Sequence, residues 1–337
     1  MGGIVHLPAA VPMRCEQMMH RRKFLMALLA TSASAAAQGR RFRIGWLVFG
    51  SATMGPIDQS LKDALAQSGL VEGRNIEIIY RYADGAPARL AELAHNLVAQ
   101  NPDMLLGVGT DVIKALFEAS KGAIPIVGGL SQNPILAGIA ESLARPGKNF
   151  TGVTYLTDEM AAKRMEILKE VAPNTKRVAV IFDSLHLDDE LTFARRGAES
   201  LGIDLTSHPI KSVADLDAAL RAASASGADS LFVVASRLTN FVAAKIAQHG
   251  QERQLPVIAS WREFAASGAL LSYGPSRIFE AKRLADYVEK VFKGAKPADL
   301  PIEQPVKFEL VVNLKAARAI RLTIPSSFLL RADEVIE

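Results

Sequence analysis

The stretch RVAVIFDS, residues 177–184, restates RIGWLVFGS at 43–51: an arginine opens each, an apolar run fills it and a serine closes it. Two more pairs follow at nearly the same displacement. ADSLFVVAS (228–236) answers PDMLLGVGT (102–110), with an Asp and a closing hydroxyl seven residues apart in both. LPVIASW (255–261) answers IPIVGGL (124–130). Apolar runs resemble one another by chance, but Asp, Thr or Ser and Pro recurring in the same order do not follow from apolarity alone. The repeat predicts two similar lobes rather than one large sheet.

The segments between these runs have helical spacing. PIDQSLKDALAQSG (56–69) stops at a glycine, and PARLAELAHNLVAQN (87–101) and DVIKALFEASKG (111–122) flank the strand DMLLGVG. The runs themselves are continuously apolar, as strands of a parallel sheet buried on both faces must be. Strand and helix in alternation means βαβ units. The expectation is an α/β protein with two Rossmann-like lobes built on parallel sheets.

The 337-residue chain is too long for one ordinary core, and its 49% hydrophobic content marks it as globular. HRRKFLMALLATSASAAAQG, residues 20–39, has a basic start, a short apolar middle and a small-residue end. A spanning helix needs roughly 20 apolar residues, so the pattern describes a cleaved export signal. Translation is expected to begin at Met18, the Arg21-Arg22 pair resembles the twin-arginine type, and cleavage is expected near Ala37-Gln38. Of the formal charge of +4, residues 1–37 carry three, so the mature part has a net charge of only +1 and lacks the basic stripe of a nucleic-acid binder. The one cysteine, Cys15, lies ahead of the expected cut, so the mature chain has neither disulfide nor thiolate metal site.

Ligands of open parallel sheets bind beyond the carboxyl ends of the strands. Those ends are Gly50-Ser51, Gly109-Thr110 and Ser131-Asn133 in the first lobe, and Asp183-Ser184, Ala235-Ser236 and Ser260-Trp261 in the second. Helix starts there favour an anion, although any one Ser or Thr can equally be an N-cap. Candidate ligand-binding residues are Ser51, Thr110, Ser131, Asn133, Asp183, Ser236, Trp261 and Tyr273. Thr110 and Ser236 occupy corresponding places in the repeat. Trp261 either walls a cleft or closes the core.

Enzyme signatures are poor. GVG at 107–109 lacks the third glycine of a dinucleotide fingerprint, and no phosphate loop, His-Glu-x-x-His or Gly-x-Ser-x-Gly occurs. The mature histidines, His95, His186, His208 and His249, do not pair in sequence with other metal ligands. The acidic residues of LHLDDE (185–190) suit a helix start. No catalytic residue, cofactor or metal is expected.

Longer stretches carry a resemblance. SGLVEGRNIEIIYRYADG, ESLARPGKNFTGVT, WREFAASGALLSYGP and the C-terminal block from GAKPADLPIEQPVKFELVV to Glu337 resemble the ABC-transporter substrate-binding proteins of the tryptophan/tyrosine-type group. The resemblance implies the type I periplasmic-binding fold, with lobes joined by three crossing strands near Thr151-Tyr155, Leu271-Pro275 and Gln304-Phe308. It divides the chain into an export segment at 1–37, one lobe at 38–152 with 275–303, and another at 153–274 with 304–337. Two loops depart from the group's pattern. Asn133-Pro134-Ile135 stands where Asp-Pro-Val is usual, and Ala235-Ser236-Arg237 where Pro-Asp-Pro is frequent. Losing acid and gaining Arg237 weakens the case for an aromatic amino-acid ligand and makes an uncharged or an anionic carboxylate-bearing solute an equal expectation.

The function expected is therefore that of a monomeric periplasmic protein. It captures a small molecule, an aromatic amino acid or another carboxylate-bearing solute, and delivers it to an ABC permease in the inner membrane. The rivals are a ligand sensor for a membrane receptor and a two-lobed α/β enzyme such as a racemase. The latter needs facing acid/base residues that the sequence does not show.

Overall fold

The computed structural model describes residues 1–3, 41–53, 55–155, 157–186 and 189–337. Apart from residues 1–3, the export segment expected at 1–37 lies outside them. From Phe42 onward the chain forms one compact unit containing two sheets.

The first sheet comprises β1 (Phe42–Val48), β2 (Ile76–Tyr82), β3 (Met104–Val108), β4 (Ile126–Leu130) and β5 (Phe150–Thr154), in the order β2-β1-β3-β4-β5. All its pairings are parallel. The second comprises β6 (Arg177–Asp183), β7 (Asp204–Ile210), β8 (Ser230–Val233), β9 (Val257–Ala259), β10 (Leu271–Pro275), β11 (Phe308–Asn313) and β12 (Glu334–Ile336), in the order β12-β11-β10-β9-β8-β6-β7. The repeated runs are thus the corresponding strands β1 and β6, β3 and β8, and β4 and β9.

Alternation within the apolar runs explains how the second sheet is covered. In β6, Ala179 and Ile181 join one core cluster while Val178 and Val180 join another. In β8, Leu231 and Val233 go one way and Phe232 the other. Successive side chains leave a strand on opposite faces, so a run apolar at every position requires cover on both sides. One cluster also spans the whole first sheet, including Trp46, Leu105 and Phe150.

One pairing departs from the parallel expectation: β10 and β11 are antiparallel. The cause is the path between them. After Pro275 the chain leaves the second sheet, and the helix Arg277–Phe292 packs on the first, against the helix Pro56–Gln67, β4 and β5. Its inner stripe, Ala281, Leu284, Ala285 and Val288, has helical spacing and is buried. The chain then runs beside β5, where Glu303 bridges Val153, and returns next to its exit point, with Ser276 N–H donating to Lys307 O (2.9 Å). A strand re-entering from that end can only run back along β10.

The crossings thus fall at Tyr155, at Pro275-Ser276 and between Gln304 and Lys307. Arg283 braces the last by forking onto Glu303 at 2.7 and 2.5 Å. No described helix is long and apolar enough to cross a membrane.

Candidate functional site

The segments that follow the strands of one sheet meet those that follow the strands of the other. Phe49, just after β1, lies edge-on to Phe241 with ring centres 6.4 Å apart. Gly109, after β3, has φ +113°, a conformation that suits glycine, and a Cβ there would collide with Cγ of Arg237, after β8. Ser131, after β4, shares a 2.8 Å hydrogen bond with Nε2 of His186, after β6. Nδ1 of that His186 is 3.9 Å from Asp111 at the start of the helix following β3.

At the centre stand Asp58, Tyr155, Arg237, Trp261 and Arg277. Arg237 is 9% exposed and Arg277 6%. Arg237 Nη2 lies 3.5 Å from Asp58 Oδ2. Its Nε and Nη1 are buried without a hydrogen-bond partner among the described residues, as are Nε and Nη2 of Arg277. The Arg277 guanidinium sits 3.5 Å from the Trp261 ring centre and 5.1 Å from that of Tyr155, and the two rings meet edge to face at 5.1 Å. Burial pushes the Arg277 guanidinium down to about 10 and the Tyr155 hydroxyl up to about 12. It also raises the Glu280 carboxyl, one helical turn beyond Arg277, to about 7, with Glu303 adding to the effect.

Buried cations without acceptors are costly. An arginine fork matches the two oxygens of a carboxylate. The arrangement is therefore suited to binding an anion between aromatic walls.

The candidate residues divide among several settings. Thr110 and Ser131 come together: the Thr110 hydroxyl accepts from the backbone N–H of Ser131 (3.3 Å) and Gln132 (3.2 Å) and lies 3.2 Å from Ser131 Oγ. Ser236 caps the helix Arg237–Phe241, its Oγ accepting from Thr239 N–H at 3.0 Å. Asp183 is buried and accepts from Leu185 N–H at 3.0 Å, and desolvation raises its carboxyl above the usual range. Ser51 is partly exposed and bonded to Thr53 at 2.8 Å. Asn133 is exposed and closes its own turn by accepting from Ile135 N–H at 2.9 Å. Trp261 belongs to the central group. Tyr273 stacks on Phe308 at 6.3 Å and packs with the second core cluster. It follows Leu271 by two in the strand, so it shares the face that Leu271 buries.

Asp58, Tyr155, His186 and Arg277 were not picked out by sequence reasoning as ligand residues. The strand-end rule would have reached two of them. Tyr155 directly follows β5, and Arg277 comes two residues after β10.

The family described as ABC transporter substrate binding protein matches residues 49–336. A tyrosine-binding protein of Clostridioides difficile (strain R20291) is 24% identical over 284 residues, 80% of this chain and 79% of that protein. Among solved structures, a conserved domain protein from Vibrio cholerae is 27% identical, with a TM-score of 0.79, over 88% of this chain and all of its own. An ABC domain in complex with L-Trp from Streptococcus pneumonia also has a TM-score of 0.79, at 24% identity, with the same coverage.

Proposed function

The chain belongs to the ABC transporter substrate-binding protein family, and from that premise we propose that it encloses a small organic solute between its two sheets and hands it to an ABC permease. The observation that carries this reading is the pair Arg237 and Arg277. Both are buried where the two sheets' strand ends meet, and both have guanidinium N–H groups that lack acceptors among the described residues. A solute that supplies acceptors there is bound more tightly when the halves close on it, since closure removes competing water. Relatives whose names or complexes mention tyrosine and L-Trp support a solute of that size. The role is capture and release of an unchanged molecule by a monomer.

The site of action we assign is the periplasm. Arg21-Arg22 and the short apolar run after them support export with cleavage near Ala37-Gln38, and N-terminal sequencing of the mature protein tests it. Capture itself is tested by native mass spectrometry of gently purified protein. The expected result is a mass excess equal to one small solute, which disappears on unfolding. Protein that never carries a solute, and that closes on none, overturns the reading.

A further inference from the structure

We propose that the solute is a carboxylate with an apolar body and no ammonium group, its carboxylate received by the paired guanidiniums of Arg237 and Arg277. The proposal rests on the capture reading and narrows it.

The first ground is hydrogen-bond accounting. Four guanidinium nitrogens, two on each arginine, are buried without an acceptor among the described residues. An ionised carboxylate is acceptor-only, with two oxygens and no donor to misplace. An ammonium offers only donors, and these N–H groups cannot pair with it.

Charge gives the second ground. The two guanidiniums bring two positive charges to a buried site. Among the described residues, Asp58 is the acidic group in ion-pair contact with either of them. Glu263 and Glu280 act on Arg277 from further off, and the Glu280 carboxyl is itself pushed up to about 7 by burial. An anion neutralises the excess. A zwitterionic amino acid adds no net charge and brings an ammonium next to two guanidiniums, a repulsion that low dielectric magnifies.

Geometry supplies the third. Trp261 lies under the Arg277 guanidinium and Tyr155 beside it, which fixes the direction of the fork while leaving its edge for bidentate bonding. The same rings give an apolar body a surface to pack on.

Three compounds sharing a phenylethyl body separate the charge requirements: 3-phenylpropanoate, with a carboxylate alone, L-phenylalanine, with carboxylate and ammonium, and phenethylamine, with an ammonium alone. In calorimetric titration of the solute-free protein, 3-phenylpropanoate should bind at least roughly tenfold more tightly than L-phenylalanine, and phenethylamine should not bind. Arg277→Gln and Arg237→Gln should each weaken 3-phenylpropanoate by roughly tenfold or more while thermal melting shows a folded protein. Equal or tighter binding of L-phenylalanine overturns the proposal, as does absence of 3-phenylpropanoate binding, or undiminished binding in both variants. If mass spectrometry still finds a retained solute, those results remove the carboxylate assignment alone. If no solute is retained either, capture falls with it.

Discussion

Arg277 places its guanidinium carbon 3.5 Å from the centre of the Trp261 ring. The first residue of a helix packed on one sheet is thereby stacked on a residue that follows a strand of the other. A site assembled in this way exists only when both halves are in place, which is why its parts are far apart in sequence. Opening the halves separates Ser131 from His186 and Gly109 from Arg237 together.

The Ser131–His186 hydrogen bond, 2.8 Å between the halves, should act as a latch on the closed form. His186→Ala is expected to speed solute release, with the association rate much less affected. A buried hydrogen bond of this kind contributes about 0.5–1.5 kcal/mol, so the dissociation rate should rise roughly 2- to 13-fold. Stopped-flow displacement of bound solute measures both rates.

Thr110 and Ser236 should behave differently despite their matching places in the repeat. The Ser236 hydroxyl is used as a helix cap, so Ser236→Ala should lower stability by about 1 kcal/mol and leave affinity nearly intact. Thr110 receives two backbone N–H groups from the loop after β4. Thr110→Val should cost about 1–3 kcal/mol in stability and also weaken binding, because it loosens the loop that presents Ser131. Melting curves read beside titrations distinguish the two.

Beneath the site, Arg164 and Glu190 form an ion pair with both side chains at 0% exposure. Glu190 Oε2 also accepts from Ala235 N–H at 3.0 Å, and the Arg164 guanidinium lies over the Phe232 ring at 5.4 Å. Removing one member takes the ion-pair partner from a fully buried charge. Glu190→Leu should therefore destabilise the protein by about 3–5 kcal/mol, and the double variant Arg164→Met/Glu190→Leu should recover much of that loss. Urea unfolding of the three variants tests this.

Glu280 sets a pH dependence. Its carboxyl titrates near 7 in the folded protein, raised chiefly by burial, against an ordinary value of 4.5. The folded state holds this proton more tightly than the unfolded one. Its contribution to stability is thus complete below pH 4.5 and lost as pH rises through 7. Glu280→Gln should raise the melting temperature at pH 8 relative to the parent and change it little at pH 4.5. Equal shifts at both values contradict the assignment.

How much of this was readable in the sequence follows from what kind of signal each part carries. The repeat of RIGWLVFGS in RVAVIFDS is a pattern of apolar runs, and buried parallel strands impose such a pattern directly, so the two-sheet α/β plan was legible. The antiparallel β11 was not, because its direction depends on where the chain re-enters after Lys307, a property of the path and not of composition. Thr110, Ser131 and Trp261 were reachable through the strand-end rule. Tyr273 was grouped with them as a candidate, yet its register in β10 carries it to the face shared with Leu271. Arg237 stood out as a departure from the family pattern. Arg277 did not, since a charged residue opening a helix looks the same in sequence whether it faces solvent or stacks on a tryptophan. Glu190 illustrates the same limit. An acidic residue at a helix start suits the dipole, and only packing reveals that Arg164 is buried opposite it.

The central claim is that the solute is enclosed between the two sheets by their approach. Solution scattering of the protein, freed of solute and then given back the solute it retains, tests it most directly. A smaller radius of gyration in the presence of that solute is the predicted result. Identical scattering curves with and without a solute shown by titration to bind would contradict it.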